Sequence, residues 1–371
     1  MGAAADAAGD ASILRLENLD TDLRPPAAAL AATKAAVDDD DANSYLPFLG
    51  QHALRNAVAG HVGRLSGRHY DPAQQCIVTA GGLSGCLISL LAVLEPGDEV
   101  IVTDPTYIGM LNRIRVAGGV PVQVPFEVAD GEWRLDLDAL RRAVGPKTRA
   151  LFIMSPSMPS GAVLNRTEWE ALADVARETG AWLLYNANME RILYDGRPYI
   201  HPAALDGMEE RTITIGSVSK EYRMIGWRVG WVVGPREIMR DIGLVSISDV
   251  VVPVGIAQAG AAAAIETDEQ GVRDAVAIWQ QRRDVIAAEL EGLPLIPAAG
   301  SWSMLFDAGR LGLDGPEASR RLLSAGGIAA TPMVNWGARH GAQYVRFVFS
   351  NEPAERLKGI RQRIEKALPV A

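Results

Sequence analysis

The sequence predicts an α/β fold, with a mostly parallel sheet in a large domain and a smaller α+β domain beside it. Short runs rich in β-branched and apolar residues alternate with longer helical patterns as far as about residue 255, which is typical of strands joined by crossover helices. The runs are almost entirely apolar, as expected for parallel strands buried on both faces. Beyond that point a long helical stretch precedes a few short strands, which indicates a second architecture.

Seven strands are predicted for the large sheet. In chain order they are CIVTA (76–80), EVIVTD (99–104), VPVQVP (120–125), RALFIM (149–154), AWLLYN (181–186), TITIG (212–216) and VGWVVG (229–234). Helices are predicted between them at 83–95, 106–117, 137–144 and 165–179. The last helix begins at Asn165 or Thr167, because either side chain can cap a helix N-terminus and acidic residues follow in the first turn.

The smaller domain is predicted from both ends of the chain. A helical stretch at 255–292 leads to the strands SWSMLFD and YVRFVFS and to an amphipathic helix from about Pro353, and the extended segment 13–26 is expected to pack on them. No low-complexity linker separates the two parts, so we expect close contact between them. The predicted domains are residues 46–255 for the large domain, 13–45 and 256–371 for the small domain, and 1–12 for a flexible extension.

The composition argues against several classes of protein. The 371 residues carry a formal net charge of −9 with scattered basic residues, so nucleic acid and anionic membranes are not expected partners. Cys76 and Cys86 lie in apolar runs, which indicates buried, reduced thiols and a cytoplasmic location. The N-terminus lacks the features of a signal peptide, and no apolar stretch is long enough to span a bilayer. The five histidines form no cluster with metal-ligand spacing, so no metal is expected.

The segment SVSKEYRMIGWRVGWVVGP contains the first set of residues that suggests chemistry. Lys220 follows a predicted buried strand, at the edge of the sheet where open α/β folds bind ligands. Desolvation there would lower the pKa of its amine and make it a nucleophile toward carbonyl groups. Arg228, with Ser217 and Ser219, offers a bidentate cation and hydroxyl donors suited to a phosphate. Taken singly, Lys220 and Arg228 could equally be surface cations.

A second phosphate signal lies in TAGGLSGCL, where two glycines separate a predicted strand from a helix that begins near Leu83. Backbone N–H groups at a helix N-terminus bind phosphate, and the helix dipole helps them. Alone, this segment could be an ordinary strand-to-helix turn. Together with Lys220 and Arg228, it describes a site for a phosphorylated aldehyde held as a Schiff base, for which pyridoxal phosphate is the candidate.

The lysine segment resembles that of the fold-type I pyridoxal phosphate-dependent aminotransferases, class I/II, in the aspartate aminotransferase superfamily. The resemblance extends from about residue 14 to 369. It implies an enzyme that exchanges an amino group between an amino acid or amine donor and a 2-oxo acid. It also implies a homodimer with shared active sites.

The resemblance assigns a role to each matching residue. Lys220 would hold the cofactor as a Schiff base and then transfer protons. The phosphate would be bound by Arg228, Ser217, Gly82, Leu83 and Ser84. Tyr107, in DPTYIGM, would stack on the pyridine ring, and Tyr45 would reach the phosphate in the neighbouring subunit. Arg346, in YVRFVFS, would grip the substrate carboxylate.

Three positions around the cofactor ring depart from the family pattern. The family has an Asn where this chain has Met158, an Asp where it has Asn186, and a Tyr where it has Met189. Asn186 is neutral, so it cannot stabilise a protonated ring nitrogen by charge, and the two methionines have no hydrogen-bond donors for the ring oxygen. Glu190 or Tyr185 could compensate.

Near the substrate carboxylate, Leu19 aligns with a family glycine. Together with the ring-side departures, this leaves two alternatives to transamination open. One is another pyridoxal phosphate reaction of lyase, racemase or oxidase type. The other is a non-catalytic protein that binds pyridoxal phosphate.

Overall fold

The structure is a computed structural model, and it describes residues 1–370. Its helices are α1 (Gly2–Ala8), α2 (Ala27–Val37), α3 (His52–Ser66), α4 (Gly82–Val93), α5 (Ile108–Val116), α6 (Leu137–Ala143), α7 (Arg166–Thr179), α8 (Arg236–Asp249), α9 (Gly255–Thr267), α10 (Glu269–Glu289), α11 (Gly315–Gly326), α12 (Ala354–Leu357) and α13 (Ile360–Ala367). Its strands are β1 (Leu14–Arg15), β2 (Cys76–Thr79), β3 (Glu99–Asp104), β4 (Val120–Ala129), β5 (Glu132–Leu135), β6 (Thr148–Met154), β7 (Trp182–Asn186), β8 (Thr212–Ser217), β9 (Gly230–Val233), β10 (Leu295–Ile296), β11 (Ser303–Asp307), β12 (Ile328–Ala329), β13 (Thr331–Pro332) and β14 (Tyr344–Val348).

The large sheet has the strand order β2-β9-β8-β7-β6-β3-β4-β5. Its central strands β8, β7, β6, β3 and β4 are parallel, whereas β9 runs antiparallel to both of its neighbours. The predicted α/β fold with a mostly parallel sheet is therefore confirmed. Each of the seven predicted strands is present, with ends that differ by at most a few residues.

The sheet nevertheless has eight strands rather than the predicted seven. The extra strand, β5, forms an antiparallel hairpin with the end of β4. The turn between them consists of Asp130 and Gly131, both with positive φ (51° and 77°), a conformation that Asp and Gly tolerate and that closes tight hairpins. The segment Glu132–Leu135 is too short and too polar for its sequence to predict a strand. It becomes one because the turn brings it beside β4.

Helices cover both faces of the large sheet. Along β6, Ala150 and Phe152 belong to the core shared with α4 and α5, and Leu151 and Ile153 belong to the core shared with α7. Since successive strand residues point to opposite faces, this alternation accounts for the continuous apolar runs in the sequence.

Helix α7 begins as its sequence predicts. The Asn165 side chain accepts a hydrogen bond from the Glu168 backbone, and the Glu168 carboxylate accepts one from the Asn165 backbone. Such a reciprocal capping box satisfies two backbone N–H groups that the helix itself leaves unpaired. Of the two predicted caps, Asn165 rather than Thr167 therefore fills the role.

A second sheet, with the order β10-β11-β14-β13, lies in the C-terminal part of the chain. The N-terminal segment packs in the same part of the molecule. Strands β1 and β12 form a separate two-stranded parallel sheet, and Asp22 forms an ion pair with Arg282 of α10 at 2.8 Å. The predicted single helical stretch is two helices, α9 and α10, which meet at Asp268. The Asp268 carboxylate accepts a hydrogen bond from Arg223 at 2.7 Å, a long-range contact that the sequence pattern does not reveal.

Three further features concern the predictions from composition. Cys76 and Cys86 are buried and unbridged, as expected. In the part of the chain that the structure describes, none of the helices has the length and apolar character needed to cross a membrane. Residues 2–8, in the predicted flexible extension, form helix α1, and Asp6 of this helix pairs with Arg15 at 2.8 Å.

Candidate active site

A cavity of about 240 Å³ opens where β6, β7 and β8 reach their carboxyl ends. Strand ends meet at one edge of a parallel sheet, and this edge is where α/β folds bind ligands. The cavity is lined by Leu19, Gly82, Leu83, Tyr107, Met154, Met158, Asn186, Asn188, Met189, Ser217, Ser219, Lys220, Ile225 and Arg228. Ten of the thirteen site residues predicted from the sequence are in this set. No carboxylate from residues 1–370 lines the cavity.

Lys220 projects its amine into this cavity just after β8. Its Nζ lies 3.2 Å from the Leu19 carbonyl oxygen and 4.8 Å from the centre of the Trp302 ring. The pKa of the Lys220 amine is lowered to about 8, chiefly by burial; Asp20 opposes this shift, and the guanidinium groups of Arg346 and Arg228 contribute to it. A lysine with this pKa is partly neutral near pH 7–8 and can act as a nucleophile or a base.

Arg228 and the first turn of α4 form one side of the cavity. Gly81 has φ of 87°, and a Cβ at this position would lie 2.4 Å from Arg228 Nη2. Only glycine therefore allows the guanidinium to approach the helix N-terminus this closely. Arg228 Nη1 donates to the Ile225 carbonyl at 2.9 Å. A cation beside the free N–H groups of a helix start forms a binding site for an anion.

A chain of hydrogen bonds crosses the cavity from this side. The Ser219 backbone N–H donates to Ser217 Oγ at 3.2 Å, and the Ser217 hydroxyl donates to Asn188 Oδ1. Asn188 Nδ2 then donates to Asn186 Oδ1 at 2.7 Å. The Asn188 amide also lies against the backbone of Gly82, where a Cβ would come within 2.3 Å of Asn188 Oδ1.

The opposite side of the cavity is apolar. Met154, Met158 and Met189 line it and are buried. The Ser301 hydroxyl donates to Met189 Sδ at 3.0 Å, so Met189 receives a hydrogen bond and supplies none. Asn186, with 3% of its surface exposed, provides the polar group on this side.

Glu190 and Tyr185 do not line the cavity, although the sequence left both open as compensating groups. The Glu190 carboxylate accepts a hydrogen bond from Tyr199 and lies 3.5 Å from His61. The Tyr185 hydroxyl donates to the Ser155 carbonyl at 3.0 Å. Burial raises the pKa values of both the Glu190 carboxyl and the Tyr185 hydroxyl, but both groups are engaged away from the cavity.

Arg346 lies on β14, in contact with Met158 of the cavity wall. Its Nη1 is 3.6 Å from Met158 Sδ, and its Nη2 donates to the Glu17 carbonyl at 2.9 Å. Its guanidinium stacks on Trp336 at 5.0 Å, and Trp336 in turn meets the Tyr107 ring edge-on at 5.6 Å. Burial lowers the pKa of Arg346 to about 10, and no carboxylate from residues 1–370 forms a salt bridge with it.

Three of the predicted residues lie outside the cavity lining in this single chain: Ser84, Tyr45 and Arg346. The Ser84 hydroxyl donates to Asp249 at 2.8 Å, and Tyr45 is 89% exposed. The sequence reasoning did not identify Asn188 or Trp302 as site residues. Asn188 lies two residues after Asn186, which occupies the family's aspartate position. Its place just after the end of β7 could have identified it as a site residue. Trp302 is distant in sequence, and no local pattern marks it.

These residues fit the cofactor that the sequence predicts. A free amine of lowered pKa suits an aldehyde, and Arg228 at a glycine-rich helix start suits a phosphate. The ring of Tyr107 supplies an aromatic face at the cavity. The cavity of about 240 Å³, with its apolar wall, offers space for a flat ring.

Three comparisons relate the chain to known proteins. The family described as "Aminotransferase class I and II" matches residues 15–364. A probable N-succinyldiaminopimelate aminotransferase of Mycobacterium tuberculosis is 36% identical over 297 residues, which cover 78% of this chain and 74% of that protein. Aromatic-amino-acid aminotransferase 2 of Thermococcus litoralis is 32% identical over 334 residues, which cover 89% of this chain and 85% of that protein.

Solved structures agree with these sequence matches. N-succinyldiaminopimelate aminotransferase from Mycobacterium tuberculosis superimposes with a TM-score of 0.91 at 32% identity, covering 98% of this chain and 95% of that one. Aspartate aminotransferase from Thermus thermophilus with maleate gives 0.90 at 30% identity, covering 99% and 95%. The chain therefore belongs to the class I and II aminotransferase family, and it is a pyridoxal phosphate-dependent aminotransferase.

Proposed function

We propose that Lys220 is the residue that holds pyridoxal phosphate and moves the reacting proton in this aminotransferase. The observation that carries the proposal is a buried amine of lowered pKa that faces the cavity and pairs with no carboxylate of residues 1–370. A buried lysine that forms no salt bridge costs folding free energy. Such a cost is expected at a site where the neutral amine is needed.

The phosphate is assigned to the side of the cavity around Arg228. Arg228 supplies a fixed cation and α4 supplies the backbone N–H groups of Gly82 and Leu83. Ser217 is placed beside them, with its hydroxyl hydrogen directed to Asn188. We place Ser84 with this group because it lies in the same first turn, although its hydroxyl bonds Asp249 in this structure. Tyr107 and Asn188 would hold the faces of the ring, and Met158, Asn186 and Met189 would contact its edge.

Pyridoxal phosphate supplies an aldehyde that captures the amino group and a conjugated ring that draws electrons from the substrate α-carbon. The protein supplies the rest. Lys220 Nζ, once free of the cofactor, takes the proton from the substrate α-carbon and holds it. The Leu19 carbonyl, 3.2 Å from Nζ, stabilises this protonated state by accepting one of its hydrogens. The apolar methionine wall excludes water from the reacting carbon.

Arg346 is assigned to the substrate carboxylate. Its guanidinium is buried without an ion-pair partner in residues 1–370, and its Nε makes no hydrogen bond there. A planar guanidinium pairs with a carboxylate through two parallel hydrogen bonds. The substrates proposed are therefore an α-amino acid and a 2-oxo acid, each with a carboxylate beside the reacting carbon. The relatives' names point to aromatic, aspartate and succinyldiaminopimelate side chains. Arg346 and Lys220 are assigned to the carboxylate and the α-carbon, which all such substrates share, and so they do not select among these side chains.

We also propose that the working unit is a homodimer. Tyr45 and Phe48 are exposed on one segment, and Leu244, Val251 and Val254 are exposed on a second. The two segments are adjacent, because Gly255 lies against the Ala42 carbonyl and Gly243 against Leu49. Large exposed apolar side chains on adjoining segments are typical of protein interfaces, and a second copy of this chain is the partner that the family resemblance implies.

The test of the Lys220 assignment is chemical. The holoenzyme is reduced with borohydride, digested and mapped, and the pyridoxyl label is expected on Lys220. The exposed Lys34 and Lys147 serve as internal controls for non-specific labelling. A label on another lysine, or no label with the cofactor supplied, contradicts the assignment.

Light scattering of the same preparation tests the homodimer, which a fully active monomer would exclude.

A further inference from the structure

Asn186 lines the cavity together with the methionines, and its amide has a fixed orientation in this structure. The backbone N–H of Asn188 lies 3.3 Å from Asn186 Oδ1. A backbone N–H can only donate, so the atom that faces it is the amide oxygen. Asn188 Nδ2 donates to the same oxygen at 2.7 Å. Both contacts therefore use Asn186 as an acceptor.

The remaining amide atom of Asn186 is its Nδ2. This group donates to no atom of residues 1–370, and it is not among the fully buried unpaired atoms, so it is open to the cavity that Asn186 lines. An NH₂ group that opens on a binding cavity and has no acceptor in the protein is free to donate to a bound ligand. The acceptor is therefore expected on the ligand in the cavity.

The Asn188 amide is oriented in turn by Ser217. The Ser217 oxygen already accepts from the Ser219 backbone at 3.2 Å, and its hydrogen is directed to Asn188 Oδ1. Asn188 Nδ2 is thus left to donate to Asn186. The chain of hydrogen bonds runs in a single direction, from the Ser219 backbone through Ser217 and Asn188 to Asn186. Reversing the Asn186 amide would bring its NH₂ group against two donors, the Asn188 backbone N–H and the Asn188 side chain.

We propose that Asn188 is a positioning residue, which holds the Asn186 amide so that Nδ2 donates a hydrogen bond to an unprotonated pyridine nitrogen of the cofactor. This inference rests on the ring placement proposed above. An amide NH₂ group pairs well with a nitrogen lone pair and poorly with an N–H group. No carboxylate lines the cavity within residues 1–370 to stabilise a pyridinium. The enzyme therefore carries out transamination on a neutral ring.

The first test measures the protonation state directly. The apoenzyme is reconstituted with a cofactor that carries ¹⁵N in the ring, and the ¹⁵N chemical shift is followed between about pH 6 and pH 9. The expected shift is that of an unprotonated, hydrogen-bonded nitrogen, with no titration. In Asn186→Asp it should move to the value of a protonated nitrogen. A protonated nitrogen in the unmodified enzyme overturns the inference while leaving the Lys220 assignment intact, whereas a cofactor that never attaches to Lys220 overturns both.

The second test isolates Asn188. Dissociation constants are measured for the natural cofactor and for the analogue with C–H in place of the ring nitrogen. The unmodified enzyme should prefer the natural cofactor by about tenfold, the contribution of one hydrogen bond. In Asn188→Ala this ratio should fall to about threefold or less, because only the backbone contact still orients Asn186. Simple loss of structure weakens both ligands and leaves the ratio unchanged. A full ratio in Asn188→Ala, or equal binding by the unmodified enzyme, overturns the proposal.

Discussion

The two sides of the cavity differ in charge and in how far they follow the family pattern. The charged side, formed by Lys220, Arg228, Ser217 and the start of α4, keeps the residue types of the family pattern, although Ser84 and Tyr45 lie outside the cavity lining in this single chain. The neutral side, formed by Met154, Met158, Asn186 and Met189, lacks the acid and the two donors that the family places there. The difference indicates that holding the cofactor and tuning its ring are separable tasks. On the proposed assignment, the charged side holds the cofactor without an acid on the neutral side.

The largest expected effect concerns the charged side. Lys220→Ala removes both the attachment point and the base, and we expect the rate of amino transfer to fall by roughly 10²–10⁴-fold or more, since a positioned base alone contributes that much. Single-turnover absorbance measurements follow the loss. The exposed Lys34→Ala serves as the control and should behave as the unmodified enzyme. Near-normal turnover in Lys220→Ala would remove this residue from the mechanism.

Arg346 provides the next largest effect, because it acts on the substrate rather than the cofactor. A lysine cannot reproduce the paired hydrogen bonds of a guanidinium. In Arg346→Lys we expect kcat/KM for carboxylate substrates to fall by about 2–5 kcal/mol in transition-state free energy, as for a buried charge pair. Cofactor binding should be unchanged. The exposed Arg310→Lys is the matched control, and unaltered kinetics in Arg346→Lys would place the carboxylate elsewhere.

The pH dependence of Lys220 sharpens the description of the charged side. Burial lowers its pKa to about 8, and only the neutral amine reacts with aldehydes or acylating reagents. Labelling of Lys220 in the apoenzyme should therefore rise with pH up to about 8 and level off above it. Below that point the rate should fall about tenfold for each pH unit. Competitive labelling against Lys34 supplies the comparison. A midpoint near the ordinary lysine value would mean that the amine is solvated.

An acid at position 186 should make the neutral side more like the family pattern and speed the removal of the α-proton. In Asn186→Asp the ring nitrogen gains a charged partner. A charge-assisted hydrogen bond exceeds a neutral one by about 1 kcal/mol, so α-proton removal should become roughly fivefold faster. Asn112→Asp, on the exposed surface of α5, controls for the added charge. A slower half-reaction with native substrates in Asn186→Asp would instead favour a chemistry that needs the neutral ring.

Tyr45 should give the smallest effect. Its hydroxyl is proposed to reach the phosphate bound in the partner subunit, so Tyr45→Phe removes one hydrogen bond from the charged side. We expect cofactor retention to weaken by about 1 kcal/mol, measured by dialysis and residual absorbance, with no change in the oligomer. The neighbouring Phe48→Leu keeps the apolar surface and is the control. Unchanged retention would separate Tyr45 from the phosphate.

The charged side could be predicted from the sequence because its residues lie in two short segments beside strand ends. Lys220, Ser217 and Arg228 occupy one segment, and Gly82 and Leu83 occupy the other. The strands were predictable for a similar reason, since burial on both faces leaves continuous apolar runs. The hairpin strand β5 was not, because its pairing depends on the Asp130–Gly131 turn.

The contacts that define the neutral side could not be derived from spacing. The Met189 sulfur accepts a hydrogen bond from Ser301, far along the chain, and the Asn188 amide beside Asn186 is oriented by Ser217 at the end of β8. Glu190 is adjacent in sequence to Met189, yet its carboxylate is bound by Tyr199 away from the cavity. Whether a side chain faces the cavity or the core depends on tertiary packing, and one sequence does not specify it.

We propose that this aminotransferase removes the substrate α-proton while the pyridine nitrogen of the cofactor is unprotonated. The step should therefore be slow. The most direct measurement is the half-reaction of the holoenzyme with an amino donor and with its α-deuterated form, followed by cofactor absorbance. We expect amino transfer with a large primary isotope effect, which becomes smaller in Asn186→Asp as α-proton removal ceases to limit the rate. An isotope effect near unity in the unmodified enzyme, or no difference between it and Asn186→Asp, would contradict the account.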